Sequence, residues 1–212
     1  MEIGTSLEDF VRAQLFEMIE KHPWQFQSQK DSNVNSNLSL DIYGRDIPIQ
    51  STRQSVVNQQ NLEFLKMLHS KENLYVIYLH RCTFEDGIKN DAISFVEKFL
   101  KENESVTCNW LNEVYGRHLK DNLVLCGILR TVSFLHIKNY DSTFVPMIKA
   151  SLSGGSIECQ EAALMLIETI RNRACLEAIE TTDFENDLVK EYAAGVANEL
   201  RKELSVDVAK EN

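Results

Sequence analysis

The most apolar stretch of the chain runs from Asn122 to Ile137. Its apolar residues cover nearly the whole circumference of a helix, and four polar positions soften it: Arg130, Thr131, Ser133 and His136. A helix that is apolar all round has to be buried on several sides. It is too short to cross a bilayer, which takes about 20 apolar residues, and Arg130 interrupts it. The pattern predicts the central helix of a soluble helical domain, with an N-cap at Asp121 or Asn122.

Amphipathic patterns predict further helices before this one. Apolar residues recur at helical spacing in segments 5–21, 56–69, 91–101 and 105–118. Segment 73–82 is almost continuously apolar, which also suits a buried strand, but its helical neighbours favour a short buried helix. The chain has only 8 glycines and 3 prolines. All-β folds use more of both in their turns, so the fold class expected is all-α.

Residues 24–61 are rich in Gln, Asn and Ser, and we expect them to form a polar loop or insertion. Within this segment, apolar and polar residues alternate from Leu38 to Ile42, and apolar residues return at Ile47 and Ile49. This alternation predicts a small β-hairpin in the 38–50 region. A disordered insertion with an incidental alternation explains the same pattern.

The C-terminal half carries a repeated pattern. A helix-like segment at 144–152 with an early proline is followed by an alanine stripe through Ala162 and Ala163, and the sequence Asp187-Leu188-Val189-Lys190 is followed by alanines at helical spacing. Ala163 and Ala193 lie 30 residues apart. Small residues on one stripe let a neighbouring helix approach closely. Helix-pair arrays repeat at such intervals and bury their apolar faces by stacking.

Over about residues 120–204 these motifs resemble HEAT-type repeats, a family of helical-repeat proteins. The resemblance implies antiparallel helix pairs stacked as a short, right-handed α–α superhelix. We expect residues 1–212 to form one helical-repeat domain, with a disordered tail at 205–212. Alanine stripes also occur in ordinary antiparallel bundles, so a generic helical bundle is the alternative.

Charge and cysteine usage narrow the class of partner and the compartment. The net charge is −10, and residues 1–104 and 105–212 each hold 11 basic and 16 acidic residues. A uniformly acidic chain repels phosphate backbones, so we expect no nucleic-acid partner. The N-terminus shows no secretory pattern, no membrane partner is expected, and the five cysteines are odd in number and well spaced. These features favour the cytoplasm.

The sequence offers little that catalysis or cofactor binding would need. The five histidines are scattered, and no short-spaced set of metal ligands occurs. His118 and Cys126 are eight positions apart, but Lys120-Asp121 is read as a helix boundary between them, so Cys126 is assigned to the core. We therefore expect no catalytic centre, metal or cofactor. The enzyme alternative requires a pocket near His80, Arg81 and Cys82.

The expected function is non-enzymatic binding of a basic protein partner, as in an immunity or antagonist protein that masks a basic enzyme. From 155 to 191 there are nine acids and three bases. This imbalance serves either solubility or partner binding. Two aromatic residues of the polar segment also suit an interface, unless they pack against the first helices. The predicted partner-binding residues are Glu177, Glu180, Asp183, Glu185, Asp187, Glu191, Trp24 and Phe26.

Overall fold

The protein is helical throughout most of the part that the computed structural model describes, which comprises residues 38–40, 46–85, 88–135, 137 and 143–210. This confirms the all-α class. The described residues form these helices: α1 (Ile49–Arg81), α2 (Asp91–Glu102), α3 (Glu104–Arg117), α4 (Asn122–Phe134), α5 (Val145–Gly154), α6 (Ile157–Ile170), α7 (Arg173–Glu180) and α8 (Asp187–Lys210). The helix predicted at 5–21, together with Trp24 and Phe26, lies outside the described residues.

Two three-residue strands precede α1. Strand β1 (Leu38–Leu40) pairs antiparallel with β2 (Asp46–Pro48), and Ser39 lies opposite Ile47 in the register. Residues 41–45, where a hairpin would turn, lie outside the described residues. The β-hairpin of the 38–50 region therefore stays a prediction.

Helix α1 corrects two expectations about the N-terminal half. The helix begins at Ile49, so residues 49–61 are helical and do not belong to a polar loop. It also runs without a break to Arg81, where two separate helices were predicted. The physical reason is that residues 49–81 contain neither glycine nor proline. Glutamine is a good helix former, so a polar composition alone does not end a helix.

Local capping fixes the starts of the middle helices. The Asn90 side chain accepts a hydrogen bond from the Ile93 N–H at the start of α2, and Asn103 does the same for Val106 at the start of α3. The Asp121 carboxylate accepts from the Val124 N–H, which confirms the predicted cap of α4. Each cap satisfies a backbone donor that the helix leaves unpaired.

The helices associate as four consecutive pairs: α1 with α2, α3 with α4, α5 with α6, and α7 with α8. The first members of the pairs contact one another in chain order, and so do the second members. Two rows of helices result, with the apolar core between them. Within the described residues, no helix combines the length and the apolarity needed to cross a membrane.

Helix α4 lies at the centre of this arrangement, as predicted. It contacts α1, α2 and α3 on one side and has its most extensive contact with α6 on the other. Ile128, Leu129 and Val132 are completely buried. The helix ends at Phe134, three residues before the predicted end.

At the C-terminus, α8 continues to Lys210, so the expected disordered tail is wrong for residues 205–210.

Candidate functional site

The acidic run of the sequence lies at the C-terminal end of the array. It follows the last turn of α7, the connecting segment and the first turns of α8. The Asn186 side chain caps α8 by accepting from the N–H groups of Leu188 and Val189. This cap fixes the direction in which the first turn of α8 leaves the connection. All six predicted acidic residues are exposed: Glu177, Glu180, Asp183, Glu185, Asp187 and Glu191.

Two of the six acids are engaged by arginines of the same chain. The Arg201 guanidinium donates to Glu180 Oε1 from both Nε and Nη2, at 3.0 and 2.8 Å. Glu177 lies 3.7 Å from Arg173 Nε, one helical turn away. The Arg201–Glu180 contact joins α7 to α8, and both contacts neutralise part of the run. The other four of the six acids form no ion pair within the described residues: Asp183, Glu185, Asp187 and Glu191.

An exposed leucine lies within this group of acids. Leu188, in the first turn of α8, is 76% exposed, the most exposed of the large apolar side chains that the structure describes. Its neighbour Val189 faces the core, where it continues as a buried stripe through Ala193 and Val196. We call Asp183, Glu185, Asp187, Leu188 and Glu191 the acidic patch. Sequence reasoning missed Leu188, although its position off the apolar stripe of α8 is a signal that could have found it.

A second polar cluster joins α1 to α3. Arg117 forms a bidentate salt bridge with Glu72, in which Nε lies 3.1 Å from Oε1 and Nη2 lies 2.7 Å from Oε2. Arg117 Nη1 also lies 3.3 Å from Glu113 Oε2. His118 Nε2 lies 3.2 Å from Glu72 Oε1, and His69 Nε2 lies 3.1 Å from Glu113 Oε2. Burial opposes the ionisation of Glu72, but the hydrogen bonds and charges of Arg117 and His118 bring the pKa of this carboxyl below its usual value.

This cluster brings together two histidines that are 49 positions apart in the sequence, His69 and His118. Arg117 lies between the two carboxylates and repels a cation there. Among the described residues, no group of three or more histidine, cysteine or carboxylate side chains is arranged to hold a metal ion. The geometry is that of an electrostatic clamp between α1 and α3.

The residues of the enzyme alternative lie at the C-terminal end of α1. His80 Nε2 is 3.0 Å from Asp121 Oδ2, the carboxylate that caps α4. Arg81 is exposed, whereas Cys82 is half-buried and packs against the core. The three side chains therefore lie in different surroundings.

The cysteines include a contact that the sequence did not predict. Cys126 of α4 and Cys159 of α6 place their sulfur atoms 2.6 Å apart, and both residues are free thiols. The assignment of Cys126 to the core is confirmed, since it is 7% exposed.

Comparisons with protein-family models, with curated proteins and with solved structures found no significant match to the chain. The geometry of these sites is therefore the basis for inferring a function.

Proposed function

We propose that the chain is a HEAT-like helical-repeat protein that binds a basic protein partner without catalysing a reaction. The superhelical arrangement is supported by the two rows of contacts, in which each pair stacks on the next. It is also supported by Ala163 on α6 and Ala193 on α8, which are both buried, and by the contact between these two helices. Arrays of this kind present long surfaces with few internal constraints, a property suited to partner binding.

The observation that carries the binding proposal is Leu188 within the acidic patch. An exposed apolar side chain with exposed acids on both sides of it in the sequence offers a partner an anchor and an electrostatic rim, the arrangement of many interface hot spots. We expect the partner protein to present an apolar pocket for Leu188, surrounded by lysine or arginine. Trp24 and Phe26 remain candidates for additional contacts.

The narrower form of the proposal is an immunity or antagonist protein that masks a basic enzyme in the cytoplasm. It is supported by the net charge of −10 and by the four acids of the patch, which form no ion pair with any described arginine or lysine. A charged surface of one sign increases the rate at which an oppositely charged partner associates. An antagonist benefits from such a rate because it has to reach the enzyme before the substrate does.

The test is affinity capture from native cytoplasm with three versions of the protein. The first is the natural sequence, and the second carries Asp183, Glu185 and Glu191 changed to lysine. The third is a charge-matched control with three exposed acids of the N-terminal half changed to lysine: Glu63, Glu85 and Glu102. Asp187 is left unchanged because an acid in the first turn of α8 stabilises that helix.

A partner supports the proposal only if the patch variant loses it and the control variant keeps it. Association of that purified partner is then followed by stopped-flow kinetics across a salt series. We expect the rate to fall with salt, because the Debye length shrinks from about 10 Å at 0.1 M to about 3 Å at 1 M. Equal capture by both variants, or an association rate that does not respond to salt, would contradict the proposed site.

A further inference from the structure

The contact between Cys126 and Cys159 is closer than ordinary packing of two thiols. Their sulfur atoms lie 2.6 Å apart on two different helices. A disulfide bond is about 2.05 Å long, so closing the bond needs a movement of about 0.6 Å. The two residues are 33 positions apart and lie on the two helices that, among those described, have the most extensive contact. The native packing therefore holds the two thiols near bonding geometry.

Cys159 occupies the position where a helix best stabilises a thiolate. It is the third residue of α6, and its backbone N–H donates to the Ser156 hydroxyl that caps the helix. The positive end of the helix dipole lies there and favours negative charge. A hydrogen bond from Cys126 lowers the pKa of Cys159, and the same interaction raises the pKa of Cys126. One proton thus leaves the pair readily and the second is retained.

Cys108 and Cys175 differ from this pair. Burial raises the pKa of Cys108 to about 12 and that of Cys175 to about 11, which keeps both as unreactive thiols. Cys159 is fully buried, and Cys126 retains 7% exposure. An oxidant that reaches the pair has to be as small as a peroxide and has to pass Cys126.

We propose that Cys126 and Cys159 form a reversible oxidation site, in which hydrogen peroxide converts the two thiols to a disulfide that links α4 to α6. The Cys159 thiolate attacks one peroxide oxygen, the O–O bond breaks, and hydroxide leaves as Cys159 becomes a sulfenic acid. The Cys126 sulfur then attacks the Cys159 sulfur, the S–O bond breaks, and the Cys126 proton leaves with the hydroxide as water. In total, two thiols and one peroxide give one disulfide and two waters.

The structural consequence is a covalent link in the middle of the array. It joins the second helix of the second pair to the second helix of the third pair. Because the bond restricts the unfolded chain over a loop of 33 residues, it stabilises the folded state. We expect the melting temperature to rise by about 5–10 °C on oxidation. This inference does not depend on the proposed partner.

The test uses the full chain with its natural sequence, reduced and then treated with hydrogen peroxide under native conditions. After free thiols are alkylated, trypsin places each of the five cysteines on a different peptide, with Cys126 in 121–130 and Cys159 in 150–171. The expected product is these two peptides joined, with loss of two thiols and recovery of both on treatment with dithiothreitol. The oxidised protein should also melt at a higher temperature.

Three results would overturn the proposal. These are five unmodified thiols after prolonged treatment, cross-links that involve Cys82, Cys108 or Cys175 instead, and cross-linking that appears only in urea. The last result would mean that the pair reacts only after unfolding. Circular dichroism during the treatment shows whether the chain is still folded when the cross-link forms.

Cysteine-to-serine variants separate the roles of the two sulfurs. Cys126→Ser should leave Cys159 at the sulfenic acid, which dimedone traps. Cys159→Ser should leave Cys126 unreactive, and Cys108→Ser is the matched control that should cross-link like the natural protein. Dimedone labelling of Cys126 in place of Cys159 would contradict the assigned order of attack. The result on the natural sequence stands even if a variant does not fold.

Discussion

The hydroxyl group of Tyr115 lies 2.5 Å from the hydroxyl group of Ser151, and this hydrogen bond joins α3 to α5 inside the core. Both residues are 1% exposed. Tyr75 of α1 is also fully buried and contacts the rings of Phe95 and Trp110, but its hydroxyl forms no hydrogen bond with any described residue. The Thr131 hydroxyl beside it only partly offsets the rise that burial gives to the pKa of Tyr75. Two buried tyrosines thus differ in whether their polar atom is satisfied.

This difference predicts opposite effects for the same substitution. Tyr115→Phe should lower the free energy of unfolding by about 1 kcal/mol or more, because it leaves the Ser151 hydroxyl buried without its partner. Tyr75→Phe should leave stability unchanged or raise it by up to about 1 kcal/mol, because it removes an unsatisfied group. Urea denaturation of both variants is the measurement. A larger loss for Tyr75→Phe than for Tyr115→Phe would show that the Tyr75 hydroxyl is satisfied in solution.

The central position of α4 predicts a large cost for truncating its core. Leu129→Ala should lower the free energy of unfolding by about 2–5 kcal/mol, since Leu129 is completely buried and its truncation leaves a cavity in the core. Leu123→Ala, on the same helix, is the control, because Leu123 is 64% exposed. The control should change stability by less than about 0.5 kcal/mol. Similar values for the two variants in chemical denaturation would contradict the central placement of α4.

Alanine substitutions at Gly127 and Gly195 should have opposite effects on stability, because α1 packs closely against α4 at Gly127. A Cβ at Gly127 would lie 2.9 Å from Leu79 Cδ2 and 3.3 Å from Leu79 Cβ, whereas a Cβ at Gly195 would meet no atom of the described residues within 4 Å. Gly127→Ala should therefore destabilise by about 1–2 kcal/mol, the overpacking strain exceeding the gain in helix propensity. Gly195→Ala, within α8, should stabilise by about 0.5–1 kcal/mol. Thermal unfolding monitored by circular dichroism measures both, and a stabilising Gly127→Ala would mean that Leu79 moves aside freely.

The clamp between α1 and α3 predicts a stability difference that depends on pH. The pKa of Glu72 in the folded protein is below its usual value of 4.5. The unfolded chain therefore binds the proton more readily, so the ionised carboxylate of Glu72 stabilises the folded state. This contribution to the free energy of unfolding is complete above the usual pKa of glutamate, and it is lost as the pH falls through the lower pKa that Glu72 has in the folded protein. Glu72→Gln should lower the free energy of unfolding by about 1–2 kcal/mol at neutral pH, where Arg117 is partly screened by water.

The measurement is urea denaturation of the natural protein and the Glu72→Gln variant between pH 3 and pH 7. The difference between them should narrow as the pH drops below the usual glutamate value. Glu63→Gln removes the same charge from the exposed face of α1 and should change stability by less than about 0.5 kcal/mol. A difference that stays constant down to the lowest pH would show that Glu72 has no depressed pKa.

Local signals in the sequence determined most of the helices of this protein. The predicted segments 91–101 and 105–118 match α2 and α3 within one residue at each end, because caps and apolar stripes act over a few neighbouring residues. The start of α6 is also set locally, since the Ser156 side chain accepts from the Cys159 N–H. The same local reasoning failed at α1, where polar composition was taken for a loop. It assigned no helix to Arg173–Glu180, which spans only two turns.

Only the tertiary structure decided which distant residues meet. The sequence places Cys126 in an apolar helix and Cys159 in an alanine-rich one, but their contact depends on the register between α4 and α6. In the same way, His69 and His118 come together around one clamp because α1 and α3 pack side by side. Helix registers are set by the fit of many side chains across an interface, which no single segment encodes. The acidic patch depends on both. Its charges can be read from a short stretch of sequence, whereas Leu188 is exposed among them because the opposite face of α8 packs into the core.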